Sequence, residues 1–499
     1  MGELEREMII SRDNYETRVG IIENTELVEM YIERATKSVV GNVYLGKVTD
    51  VLPGMQAAFV DIGLEKNAFL YVDDVRDHTG AGISGRAISS LLSVGKKILV
   101  QVAKDPMGTK GARLTMDISI PGRFVVLMPF AHHVGVSKKI EGPKAEYLSA
   151  LARENLEDGR GAIVRTAAVE AGEKELLADI NFLNRVWRRV MRQAADGIAP
   201  EVVYTEIDLA MRMVRDVLNN DFSKVVVDDK DTFSKIQSFL KRSAPDLARK
   251  AVWHKDKAVA LFDAYNCSPQ LKKALSREVD LPNGGQIVID ITEALVAIDV
   301  NTGSFTGRKT LEDTILKTNL EAATEALKQI RLRDLGGIIV IDFIDMEEES
   351  HKRKLEEHIS TLLEHDRSKT QLSAITSLGL IQIARKRTTD GLYKVLTDMC
   401  PRCEGRGRAL SFETCRISVE RKIREIIASS RHQAFLFAIN DETYASIMDS
   451  GINFALTIRA ETGKRIRLVG ERDLEPTEVC TLIEGNHPKD SFGKKHLMR

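Results

Sequence analysis

The chain has 499 residues, 43% hydrophobic and 29% charged, with a formal net charge of −1. That length exceeds one hydrophobic core and implies about three domains of a soluble globular protein. The balanced charge gives no bulk argument for nucleic-acid binding, the odd count of five cysteines argues against a disulfide framework, and no apolar run nears the ~20 residues that span a bilayer.

The N-terminus, Met1 to Glu7, is charged and lacks the apolar stretch of a signal peptide, so the expected compartment is the cytoplasm, with no membrane partner. Residues 1–36 hold three strand-like patches with weak alternation, at Met8 to Ile10, Arg18 to Ile22 and Glu29 to Ile32. From Ser38 to Ile120, short β runs alternate with glycine-bearing turns, the spacing of a small all-β barrel. Phe59 shares a parity with Asp61, and Phe69 with Tyr71 and Asp73, so a period of two points both rings away from the barrel interior. Exposed rings there either stack nucleobases, at ~1–3 kcal/mol per base, or pack against a neighbouring domain. Lys104 and Lys110 flank a turn that can bring two ammonium groups to one phosphate strand.

Residues 121–210 mix strands (Phe124 to Met128, Ala162 to Thr166) with a helix around Leu183 to Met191. Arg165 beside Thr166 offers a fork and a hydroxyl that together can hold a terminal phosphate; a surface ion pair is the alternative. Residues 207–275 read as helical, broken by a strand at Lys224 to Val227. From Gly285 the pattern is strand, strand, helix, strand. The helix opens on Thr310 to Asp313, close to a capping box, and stops before Gly336-Gly337. A further small α/β unit follows residue 408. The basic clusters Arg185 to Arg189, Arg331 to Arg333 and Arg385 to Arg387 read as solvated helix faces.

Two segments carry the strongest chemistry. Leu295 to Ile298 and Ile338 to Ile341 read as buried strands, and each runs into an aspartate, Asp299 and Asp342. A buried carboxylate costs several kcal/mol unless it is paired, hydrogen-bonded or metal-bound. Two of them at neighbouring strand ends would repel, and a divalent cation with all-oxygen ligands, Mg²⁺, removes that repulsion. Turn capping or pairing with arginine is the alternative. Cys400-Pro-Arg-Cys403, followed by glycines, reads as half of a zinc site rather than a redox pair, since no thioredoxin-like strand precedes it. Cys415, Cys480, a histidine or a second subunit would complete it.

Gly54 to Gly63, Thr109 to Thr115, Arg165 to Ala167, Ile298 to Gly303, Thr318 to Ala322, Arg331 to Gly337, Ile341 to Met346 and Cys400 to Cys403 together resemble the catalytic region of the bacterial ribonuclease E/G family. The similarity covers nearly the whole chain, which ends without a long polar tail, as in the shorter branch of that family; Tyr71 stands where the family often has proline. The resemblance implies an α+β multidomain fold. Its parts would be a ribonuclease-H-like subdomain (1–37 and 211–277), an OB-fold RNA-binding barrel (38–120), a 5′-phosphate sensor (121–210), a DNase-I-like catalytic subdomain (278–398), a zinc link (399–408) and a small dimerisation domain (409–499). It implies Mg²⁺-dependent endonucleolytic cleavage of single-stranded RNA, in rRNA precursors and mRNA, stimulated by a 5′-monophosphate. Asp299 and Asp342 would hold the metal and Asn301 would orient an aspartate or the scissile phosphate. Phe59, Phe69, Lys104 and Lys110 would bind RNA, and Gly122, Val126, Arg165 and Thr166 the 5′-phosphate. Cys400 and Cys403 of two subunits would share one Zn²⁺ in a homodimer, which could pair into a tetramer. A non-catalytic RNA-binding or ribosome-associated scaffold, and a deoxyribonuclease, are the rival readings.

Overall fold

A computed structural model describes residues 5–34, 38–76, 86–106, 110–256, 258–302, 311–376, 379–387, 389, 391–403, 405–449 and 454–486. The chain divides into two compact units, Met1–Leu396 and Thr397–Arg499.

The first unit opens with an antiparallel meander of β1 (Arg6–Arg12), β2 (Glu16–Glu23) and β3 (Glu26–Arg34). A barrel follows: β4 (Val43–Leu52), β5 (Ala57–Asp61), β6 (Ala68–Tyr71), the short α1 (Ile88–Leu91), β7 (Lys97–Lys104) and β8 (Arg113–Thr115). The strands run β4-β5-β6-β8-β7, and β7 pairs back onto β4 to close the ring. Val48, Val60, Leu70, Val100 and Leu114 fill its interior. Gly111 lets two backbones meet: a Cβ there would lie 2.0 Å from the Asn67 carbonyl oxygen.

Next come β9 (Ile120–Pro121), β10 (Val125–Met128), β11 (Val134–Val136), α2 (Pro143–Asn155), β12 (Gly161–Val164) and α3 (Glu173–Asp196). They form a sheet in the order β11-β12-β10-β9, covered through Leu148, Ile180, Leu183 and Trp187. β13 (Glu201–Tyr204) joins the outer edge of β4.

The chain then returns to the meander. α4 (Leu209–Asp216) starts at the cap Asp208, and β14 (Phe222–Val227) lies parallel to β1. α5 (Lys230–Ser243) starts at the cap Asp229; α6 (Pro245–Ala248), β15 (Ala251–Trp253), α7 (Leu261–Ala264) and α8 (Cys267–Leu275) follow. The completed sheet, β15-β14-β1-β2-β3, is apolar on both faces. Met8, Ile10, Val19 and Ile21 pack on one side, Ile9, Ile22, Leu27 and Met30 on the other. That is why alternation is weak in the first 36 residues: a strand covered twice has no polar parity.

The last part of this unit is a six-stranded sheet, β16-β17-β18-β19-β21-β20. It is built from β16 (Glu278–Asp280), β17 (Gln286–Ile291), β18 (Leu295–Asn301), α9 (Leu311–Leu332), β19 (Gly337–Asp342), α10 (Glu349–Leu363), β20 (Thr370–Leu372), β21 (Leu380–Arg385) and α11 (Leu392–Leu396). β18 and β19 are parallel, connected through α9, and the other pairings are antiparallel. Val296, Ile298, Ile339 and Ile341 bury one face against Ala322, Ala326 and Ile330 of α9 and Leu355 and Ile359 of α10. Thr310, the expected start of α9, lies outside the described residues.

Arg331, Arg333 and Arg385, expected on solvated faces, are structural instead, whereas Lys386 and Arg387 are exposed as expected. The Arg331 side chain, 10% exposed, bonds Glu23 and Glu29 of the meander. Arg385, buried, pairs with Asp334 and Asp366. Arg333 is buried as well, and burial lowers its pKa to about 10. The acidic partners of Arg331 and Arg385 lie 19 to 308 positions away in sequence, which hides the pairing from a local pattern. Arg185, Arg188 and Arg189 are exposed, as expected.

The second unit holds α12 (Phe412–Ser429), β22 (Ala434–Asn440), α13 (Asp441–Asp449), α14 (Phe454–Thr462), β23 (Arg465–Glu471) and β24 (Val479–Gly485). A three-stranded sheet, β23-β22-β24, packs on its helices through Phe435, Phe437, Val419 and Ile423. The whole is a mixed α+β protein with a closed barrel. No helix of the described residues is long and apolar enough to cross a membrane.

Candidate active site

β18 alternates strictly: Val296, Ile298 and Val300 are buried, and Asp299 and Asn301 are exposed. In β19 the buried residues are Ile339 and Ile341, and Asp342 is exposed. Asp299 and Asp342 are register partners across the parallel pair. Partners on adjacent strands, about 4.8 Å apart, point to the same side of a sheet. Both carboxylates therefore stand on the open face, opposite the helices. This corrects the expectation of two carboxylates in a core. The apolar runs do bury one side, but the aspartates take the other parity, so no burial penalty acts on them. What remains is their mutual repulsion. Among the described residues no lysine or arginine pairs with either. The Asn301 amide donates to Asp299 Oδ2 at 2.8 Å, which orients that carboxylate. The donor set is oxygen-only, which suits a hard divalent cation such as Mg²⁺. No group of three or more His, Cys, Asp or Glu placed to hold a metal occurs among the described residues.

On the barrel, Phe59 and Phe69 are register partners, with ring centroids 5.6 Å apart edge to face. Tyr71 packs on Phe69 at 4.4 Å and is 41% exposed, so the aromatic strip is one ring longer than expected. Arg113 lies over Tyr71, 5.1 Å from its centroid, and pairs with Asp74. Lys104 and Lys110 are both exposed, and Asp105, next to Lys104, accepts hydrogen bonds from the Ser38 hydroxyl and the Val39 N–H.

The expected phosphate-binding residues gather around the turn between β9 and β10. Asp179 of α3 accepts hydrogen bonds from the backbone N–H groups of Arg123, Phe124 and Val125. Gly122 has to be glycine, since a Cβ would sit 2.4 Å from Asp179 Oδ2. Arg165 Nη1 donates to the Gly122 carbonyl at 2.9 Å and to Asp216 at 2.5 Å. Burial by itself would raise the Asp216 carboxyl, but Arg215 and Arg165 hold it below the usual range. Arg165 Nε and Nη2 have no partner among the described residues. The Thr166 hydroxyl is exposed and bonds Ser137 at 2.8 Å. Val126 lies on β10, half-buried, paired with Pro121 and Ile163. Gly122, Arg165 and Asp216 thus form one cluster; Thr166 and Val126 flank it.

In the second unit Cys400 is exposed and Cys403 half-buried. Hydrogen bonds from the backbone of Cys403 and Arg402 lower the Cys400 thiol below its ordinary range, which favours the thiolate a metal needs. Cys415 is buried in α12 and its thiol is raised by burial; Cys480 is exposed on β24.

Residues 119–388 match the model of the ribonuclease E/G family. Ribonuclease G of Escherichia coli (strain K12) is 39% identical over 472 residues, covering 93% of this chain and 96% of that protein. Ribonuclease G of Haemophilus influenzae is 38% identical over 484 residues, 93% of this chain and 97% of that protein. Ribonuclease E of the same organism is 36% identical over 431 residues, 85% of this chain and 46% of that longer protein.

The chain belongs to the ribonuclease E/G family. The family match spans Asp299, Asp342 and Arg165. Two residues escaped the sequence reading although they lie inside its quoted family motifs. Asn319, fully buried on α9, donates to the Ile344 carbonyl at 2.8 Å and accepts from the Ile344 N–H at 3.1 Å. It thereby fixes the segment that follows Asp342. A polar residue inside an otherwise apolar helix stripe was the available signal. Arg113 follows from parity: Leu114 is interior, so its neighbour points outward beside Phe69.

Proposed function

We propose that the protein cleaves single-stranded RNA at a Mg²⁺ site held by Asp299 and Asp342. Membership of a ribonuclease family makes it an endoribonuclease. The observation that carries the site is the pair itself: two exposed, register-matched carboxylates with no cation beside them among the described residues. The bound ion would polarise the scissile phosphate and acidify the attacking water. Asn301 holds Asp299 in place through its amide, and Asn319 steadies the backbone beyond Asp342. Phe59, Phe69 and Tyr71 splay unpaired bases, while Lys104 and Lys110 draw in the phosphates. Arg165 and Thr166, set by Gly122 and Val126, receive a 5′-monophosphate and favour a cleaving conformation by population shift. Products carry 5′-phosphate and 3′-hydroxyl ends, as suits rRNA maturation and mRNA decay in the cytoplasm. Cys400 and Cys403 supply two of the four ligands of a structural Zn²⁺, and a second subunit supplies the rest, giving a homodimer able to pair further into a tetramer.

The test is cleavage of a short fluorescent single-stranded RNA in Mg²⁺ and in EDTA, with DNA of the same sequence alongside. RNA cut only with the metal supports the reading; cleavage undiminished in EDTA, or equal cleavage of DNA, overturns it.

A further inference from the structure

A cavity of about 480 Å³ opens behind the 122–125 turn, where residues 120–123 meet α3, α4 and α5. That volume is in the range of small-molecule sites. Its body is apolar, with Phe182, Met211 and Phe239 in the lining. Phe182 is 40% exposed on α3, while Leu176, Ile180, Leu183 and Trp187 of the same helix are buried. Cations outnumber the one carboxylate in the cavity lining, Arg123, Arg215, Lys235 and Arg242 against Asp179. Lys235, Ser238, Phe239 and Arg242 recur along α5 at the spacing of one helical face. Neither Lys235 nor Arg242 has a salt bridge among the described residues; Lys235 acts at longer range on the cap Asp229, and Arg242 lies over the Phe182 ring, 5.6 Å from its centroid. At the other end lies Arg123, 5% exposed. Two of its nitrogens donate to the carbonyls of Val214 and Leu218, and its Nε is buried without a partner. A buried cationic donor left unmatched is costly unless something meets it.

We propose that this cavity is a binding site for a small anion carrying an apolar ring, its ring among Phe182, Met211 and Phe239 and its charge on the Lys235 and Arg242 cations. A phosphate on a nucleobase-sized ring and an aromatic carboxylate share that chemistry. The occupant would press on the turn whose Gly122 carbonyl holds Arg165. Any effect on 5′-end preference therefore rests on the phosphate-pocket reading above, while binding itself does not.

The full-length protein is titrated with 8-anilinonaphthalene-1-sulfonate, a ring-bearing anion that fluoresces when shielded from water. Saturable binding of one probe per chain, weakened at least tenfold by the double change Lys235→Glu and Arg242→Glu and by the cavity-filling Ser238→Trp, is the expected result. Circular dichroism and melting confirm that both variants fold. Adenosine monophosphate or indole-3-acetate should displace the probe, the one that does so naming the anion; adenosine and inorganic phosphate should not. Non-saturable binding, unchanged affinity in both folded variants, or equal displacement by adenosine overturns the proposal. Loss of 5′-end preference in Arg165→Ala with probe binding intact would leave both readings standing. Probe binding with the preference unmoved in that variant would remove the phosphate pocket alone.

Discussion

The protein handles charge in two opposite ways. On the outer face of the β17–β21 sheet, Asp299 and Asp342 stand side by side in solvent with no cation beside them among the described residues. Between the same subdomain and the meander, Glu23, Glu29, Arg331 and Arg6 are largely withdrawn from water, Arg367 joins them from an exposed position, and every one is paired. Tyr31 adds its hydroxyl to that network, bonding Glu29 and accepting from Arg367. Like charges held together serve no stability purpose; opposite charges buried together act as a strut. Removing one member therefore has different consequences in the two places.

The largest effect belongs to the exposed pair. Asp299→Asn should reduce RNA cleavage by about a thousandfold or more, several kcal/mol at ~1.36 kcal/mol per tenfold, with RNA binding and melting temperature unchanged. Gel-based cleavage beside calorimetry decides it, and a lost fold would erase the contrast with the strut. In the strut, Arg331→Met should cost about 1.5–3 kcal/mol of stability, because Glu23 and Glu29 each lose one of two arginine partners, yet leave cleavage per folded molecule close to normal. Denaturant unfolding reads the first and an active-fraction assay the second.

The strut should also be acid-sensitive. Burial raises the carboxyls of Glu23 and Glu29, but Arg331, Arg367 and Arg6 outweigh it and hold both below the usual range. A depressed carboxyl stabilises fully above its unfolded value, about 4.3, and loses that contribution as the pH falls through its folded value. Stability should decline below about pH 4, and less steeply in Arg331→Met, when melting is followed against pH.

Smaller effects sharpen the functional half. Arg165→Ala should erase a preference for 5′-monophosphate over 5′-hydroxyl RNA, about 1.5–3 kcal/mol for lost charge-assisted hydrogen bonds. A preference that survives moves the pocket elsewhere. Phe59→Ala should weaken binding of single-stranded RNA by about 1–3 kcal/mol with little change in fold stability, as measured by fluorescence anisotropy.

Much of this was legible in the sequence. The apolar runs ending at Asp299 and Asp342, the stop after α9 and the glycine-punctuated barrel all follow from local pattern. Burial was harder to read. Residues 8–10 show no alternation because the meander is covered on both faces, and only the helices of residues 209–275 and α9 reveal it. Arg331 looked solvated because Glu23 lies 308 positions away. The aspartates looked buried because the run around them is apolar, whereas a single parity step carries them to water. The Asn319 clamp needed the fold, since its partner Ile344 lies 25 positions on, past the far end of β19.

α9 ties these two regions together mechanically. Asn319 grips the backbone next to Asp342, and twelve positions later Arg331 grips the meander. Along a helix that is about 18 Å, with each residue turning the axis by roughly 100°. One residue inserted between them would swing one grip out of phase with the other, so the rod tolerates substitution far better than any change of length.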